Sequence, residues 1–112
     1  MDYQRLATKI KVTNFVVRDP ERLAVALQYT LGCNMTPVVT AKGADSLAEQ
    51  IAEEAERLKW EITDDPALAQ SLYETVGLNE KIPKQFYKDI VQIVYLIYKK
   101  NNELHLLEKI PR

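Results

Sequence analysis

Apolar positions along this chain recur with two different periods, and the change from one to the other divides it into elements. Ile10-Lys11-Val12-Thr13-Asn14-Phe15-Val16-Val17 is β-branched and partly alternating, which predicts a first strand. Leu23, Val25, Leu27 and Tyr29 then alternate with Ala24, Ala26 and Gln28. Between the two runs lies a charged corner, Arg18-Asp19-Pro20-Glu21-Arg22. Proline fixes its own φ, lacks an N–H and pushes the preceding residue toward extended backbone, so Asp19 and Pro20 mark either a turn or a helix start. Asp before Pro before Glu suits a helix N-terminus, whereas the alternation that follows suits a strand. The pattern alone leaves these two readings level.

Further on, Pro37 to Ala41 predicts a third strand, with proline tolerated at its first position. Lys42-Gly43-Ala44-Asp45 turns the chain into the clearest helix, about Asp45 to Lys59. Ser46 and Glu49 have capping-box spacing, and Leu47, Ile51, Ala55 and Leu58 form one apolar stripe expected to face a sheet. Trp60 to Thr63 predicts a short fourth strand. Asp65 as N-cap and Pro66 at N1 open a second helix carrying Leu68, Leu72 and Tyr73 to Val76, stopped at Gly77. A last helix runs from Pro83 to Asn101, with Phe86, Tyr87, Ile90, Val91, Val94, Ile97 and Tyr98 inward or half-buried. The expected fold is α/β: a small mixed four-stranded sheet flanked by three to four helices. Residues 1–9 read as an arm or linker end, 10–101 as the domain, and 102–112 as a charged tail.

Composition narrows the function classes. With 46% apolar and 28% charged residues, the 112-residue chain suits one soluble globular domain. A net charge of -1 gives no footing for nucleic acid or an anionic membrane as the main partner. One cysteine, Cys33, has no intramolecular partner and fits a reducing compartment. No run of about 18 apolar residues is present, so nothing in this sequence reads as a membrane span.

Four blocks carry a resemblance: Leu23-Ala24-Val25-Ala26-Leu27-Gln28-Tyr29, Thr36-Pro37-Val38-Val39-Thr40-Ala41-Lys42-Gly43-Ala44-Asp45, Asp65-Pro66-Ala67-Leu68-Ala69-Gln70-Ser71-Leu72-Tyr73 and Ile82-Pro83-Lys84-Gln85-Phe86-Tyr87. In this order and at this spacing they resemble the cytoplasmic domain of the FlhB/YscU family, substrate-specificity switch proteins of flagellar and virulence type III export machines. The wording is closer to the flagellar branch. The resemblance implies that the segment after the corner is a strand. It also implies a place at the inner face of the bacterial inner membrane, beside other export-apparatus proteins, export substrates and a length-sensing switch partner. The family carries a transmembrane half before this domain, so the chain reads as an excised domain or as a stand-alone homologue that works with a membrane-embedded subunit.

The family signature at the corner is Asn-Pro-Thr-His, and its Asn-Pro bond cuts itself. Proline's tertiary nitrogen cannot attack the Asn side chain, so the side-chain amide attacks its own main-chain carbonyl and a succinimide breaks the chain. Here the corner reads Asp19-Pro20-Glu21-Arg22, and only Pro20 is kept. An aspartate is an anion at neutral pH and would have to form an anhydride. Arg22 is always protonated and is no general base. No catalytic residue is therefore expected, and an intact chain is. The residues expected to meet a partner are Arg18, Asp19, Glu21, Arg22 and Lys42.

Other chemistry finds little support. His105 is the sole histidine and falls in the tail, so neither a metal site nor a Ser/His pair is expected, and no cofactor is. Lys42-Gly43 before a helix is a poor phosphate loop. Tyr87, Val91, Val94, Tyr95 and Tyr98 read as core and its rim, and Trp60 as packed at a strand edge. Glu49, Glu53, Glu54 and Glu56 read as a solvated helix face that can also steer a basic partner.

Overall fold

A computed structural model describes residues 11–31 and 36–101. The arm at 1–9, Cys33, and the tail with His105 lie outside the described residues. The elements follow in the order β1 Lys11–Asp19, β2 Leu23–Leu31, β3 Val38–Ala44, α1 Ser46–Arg57, β4 Glu61–Asp64, α2 Pro66–Thr75 and α3 Tyr87–Lys100, with a 3-10 turn at Lys84–Phe86 before α3. The sheet order is β3-β2-β1-β4. β2 is antiparallel to both neighbours and β4 is parallel to β1, so the sheet is mixed as expected.

The strand after the corner wins over the helix because its two sets of side chains have two different places to go. Leu23, Val25 and Leu27 face a core that also holds Phe15, Val17, Val39, Leu68, Leu72, Ile90, Ile97 and Tyr98. Ala24 and Ala26 face the opposite side, where they meet Val16, Ala48 and Ala55. All five residues from Leu23 to Leu27 are buried, which a period-2 segment achieves only when both faces of its sheet are covered. α2 and α3 cover the first face. α1 covers the second, crossing from β3 at one edge to β4 at the other.

Three sequence expectations change. The buried stripe of α1 is Ala48, Ala52 and Ala55, while Leu47 and Leu58 are 47% and 41% exposed and Ile51 is partly buried. Alanines face the strands because the helix lies close to the sheet, and larger residues are displaced to its flanks. Leu47 still has a task, since it lies across Gly43 so closely that a Cβ there would run into it. The capping box is not formed: Asp45 is the N-cap at φ 53, and its side chain caps nothing. In α3, Val91 is 61% and Tyr95 46% exposed, and Tyr87 is only half-covered, so the core takes Ile90, Ile93, Val94, Ile97 and Tyr98 instead.

Several ends also move. β1 runs on through Arg18 to Asp19, and β3 continues through Lys42, Gly43 and Ala44 rather than ending at Ala41. Within that longer strand a bulge sets Ala26 opposite Ala41 but Leu27 opposite Val39, leaving Thr40 as the extra residue. The outer edge of β3 is occupied by the segment after α2. Asn79 N–H donates to Val39 O (2.7 Å), Val39 N–H to Glu80 O (3.1 Å) and Ile82 N–H to Pro37 O (3.0 Å). The N-terminus of α2 is as the sequence predicts: Asp65 Oδ1 accepts from the Leu68 N–H at 3.2 Å, with Pro66 at N1.

Candidate functional site

The corner is the tip of the β1–β2 hairpin. Asp19 pairs with Leu23 across the ladder, leaving Pro20, Glu21 and Arg22 as an exposed loop. Arg22 N–H donates to Asp19 O at 3.1 Å, and none of these residues takes a positive φ. That combination, with proline second, defines a type I turn. Asp19 reinforces it, because its Oδ1 accepts the Glu21 N–H at 3.0 Å in an Asx turn around Pro20. The aspartate side chain is thus spent on holding the loop.

Two backbone bonds tie the corner to elements on either side of the sheet. Asp45 N–H donates to Arg22 O at 2.8 Å, fixing the start of α1 against the hairpin. Asp65 N–H donates to Arg18 O at 3.0 Å, fixing the start of α2. Arg18 Nε reaches Asp64 Oδ1 at 2.7 Å, a partly exposed pair worth at most about 1 kcal/mol. Arg18 is therefore already engaged, and Arg22 is the cation of the corner that projects to solvent.

Lys42 is not brought to the corner. The bulge at Thr40 turns its side chain to the face that α2 covers, where Nζ donates to Tyr73 O and Val76 O, each at 2.9 Å. It lies 5.3 Å from the centre of the Tyr73 ring. A cation on the last carbonyls of α2 supports the negative end of the helix dipole. The part this geometry gives Lys42 is a helix cap.

What the sequence did not single out is a cleft of about 410 Å³ between the hairpin tip and α1. Ala48 and Ala52 form its apolar floor, and Pro20, Glu21 and Arg22 one wall. The other wall is a flank of α1 bearing Glu49, Glu53 and Glu56. The acidic run read as a uniform solvated face is thus divided. Glu54 pairs with Arg57, whose hydrogen bond holds the Glu54 carboxyl below its ordinary range. Glu49, Glu53 and Glu56 stand at i, i+4 and i+7 and have no cationic partner within 4 Å among the described residues. Like charges at that spacing cost a helix about 0.2–0.5 kcal/mol per pair. The spacing was the signal in the sequence, and the side of α1 that the hairpin approaches was not. No cluster of three metal-ligating side chains occurs among the described residues.

A family model described as the FlhB HrpN YscU SpaS family matches residues 1–97. The flagellar biosynthetic protein FlhB of Aquifex aeolicus is 33% identical over 97 residues, covering 86% of this chain and 28% of the relative. The secretion system apparatus protein SsaU of Salmonella typhimurium is 32% identical over 94 residues, covering 84% and 27%. Among solved structures, the cytoplasmic domain of FlhB from Shewanella putrefaciens superposes with a TM-score of 0.71 at 30% identity, covering 77% of this chain and 71% of that one. The C-terminal domain of EscU carrying an asparagine-to-aspartate mutation gives 0.71 at 33% identity, covering 83% and 85%. The chain spans less than a third of the length of the curated relatives it matches.

Proposed function

This chain belongs to the FlhB HrpN YscU SpaS family, and we propose that it is the recognition domain of a type III protein export apparatus whose corner has lost efficient self-cleavage. In this reading it lies on the cytoplasmic side of the bacterial inner membrane. There it meets other export-apparatus proteins, export substrates and the length-sensing partner that changes early cargo for late. No helix among the described residues is long and apolar enough to cross a membrane. The work is binding, done by the exposed hairpin tip at Glu21 and Arg22.

The observation that carries the reading is the state of Asp19. Its Oδ1 is held by the Glu21 N–H, and a carboxylate offers no amide nitrogen to close a succinimide. An asparagine could keep the same bond through Oδ1, leaving Nδ2 as the nucleophile. The turn thus engages the residue 19 side chain through its Oδ1, while the reactive amide nitrogen is missing. The second reading, a self-processing domain that cuts between Asp19 and Pro20, is separated by intact mass. Kept for days at pH 7, the wild-type chain is expected to stay one species of 12.9 kDa and to split at Asp19–Pro20 only in acid. Two fragments at neutral pH would overturn the loss of cleavage. The triple variant Asp19→Asn, Glu21→Thr, Arg22→His is expected to split at pH 7 into pieces that co-elute while folded, because β1 and β2 remain paired. The recognition role is tested by placing this chain in the position of a flagellar relative's cytoplasmic domain, with restored export as the expected result.

A further inference from the structure

We propose that the cleft beside the corner is a docking groove for a lysine- or arginine-bearing helical or extended segment of a protein partner. This deepens the recognition reading above and rests on it for the identity of the partner as an export-apparatus protein or cargo. Two features of the cleft select this occupant. Its floor is apolar and sunken, since Ala48 and Ala52 are at most 9% exposed yet line it. Its α1 wall presents Glu49, Glu53 and Glu56 in one column, unpaired among the described residues. From first to last this column rises about 10 Å along the helix axis. A partner matching it carries cations at the same spacing and a small apolar side chain for the floor.

Other occupants fit less well. A divalent cation needs carboxylates that converge, and successive members of this column are a helical turn apart, in agreement with the lack of any three-residue metal cluster among the described residues. A polyphosphate or nucleic acid would meet acidic groups on both walls. Of the two arginines that line the cleft, Arg18 is paired with Asp64, which leaves Arg22 to break the sign. It stands exposed on the hairpin tip, without a partner in any ion pair of the described residues. Its guanidinium would take a carboxylate or a carbonyl of the same segment, so the partner binds in one direction, with its cations along α1 and an acceptor at the corner.

The test is a titration of the full chain by amide NMR with a synthetic 15-residue amphipathic peptide bearing lysines at i, i+4 and i+7 beside an alanine and leucine stripe. Saturable shifts are expected at Leu23, Ala48 and Ala52, with affinity falling steeply between low salt and 0.5 M salt. The combined variant Glu49→Gln, Glu53→Gln, Glu56→Gln is expected to weaken binding at least 10-fold, and Glu54→Gln to leave it unchanged. A peptide with glutamates in place of its lysines should not bind wild type, which holds even if the triple variant folds poorly. Shifts confined to other surfaces, an affinity indifferent to the triple variant, or concentration-dependent self-association through these residues would overturn the proposal. Peptide binding at the groove without export in the domain swap would count against the recognition role alone. Export restored equally by wild type and triple variant, with no binding at the groove, would count against the groove alone.

Discussion

The two faces of the sheet are built from different sizes of residue. On one, Phe15, Leu23, Leu27 and Val39 meet Leu72, Ile90, Ile97 and Tyr98 from two helices, all at most 5% exposed. On the other, Val16 is joined mainly by alanines, Ala24, Ala26, Ala48 and Ala55, under one helix. The large-residue face gains its stability from buried apolar area. The alanine face instead brings α1 close to the sheet, which lets Arg22 O accept the Asp45 N–H at 2.8 Å and sets the acidic flank of α1 against the hairpin tip. One face holds the domain together, and the other forms its cleft.

That contrast can be broken by substitutions that exchange the two logics. Leu72 is fully buried between α2 and the sheet, so Leu72→Ala leaves a cavity and is expected to cost about 3–4 kcal/mol. Urea unfolding measures this, and a cost under about 1 kcal/mol would mean the two-helix face is loosely packed. On the other face the failure should come from excess volume. Ala55 is 0% exposed, and Ala55→Leu is expected to destabilise by about 2 kcal/mol. If the larger residue stabilised the domain, α1 would not be closely seated. The smallest effect belongs to Ile51→Asp. A fully buried charge there would cost well over 3 kcal/mol, but Ile51 sits half-covered on the flank of α1, so about 1–2 kcal/mol is expected. A larger loss in the same urea series would return Ile51 to the core of this face.

The corner sharpens the lesson about site residues. Glu21 and Arg22 are exposed at the hairpin tip, but the Asp19 side chain holds the turn, Arg18 is tied to Asp64 and Lys42 caps α2. Glu49, Glu53 and Glu56, which looked like ordinary solvated carboxylates, line the cleft. Nearness along the chain was a poor guide here, because strands separate neighbours onto opposite faces and return distant residues to one another.

Local chemistry is what the sequence determined by itself. Alternation marked the strands, Asp65-Pro66 made a capped helix start, and Asp19-Pro20 marked a break in the chain, because each depends on backbone limits within four residues. The family's motif blocks settled the strand after Arg22, where periodicity alone stood level. Tertiary structure decided the rest. The side of α1 that is buried follows from how closely it can approach Ala24, Ala26 and Ala41, so small residues were chosen over the leucines that hydrophobicity favours. The direction of Lys42 follows from a single extra residue at Thr40, and a one-residue change of register moves a side chain to the other face. Neither fact is local, since each is fixed by a partner strand or helix that the sequence names only at a distance.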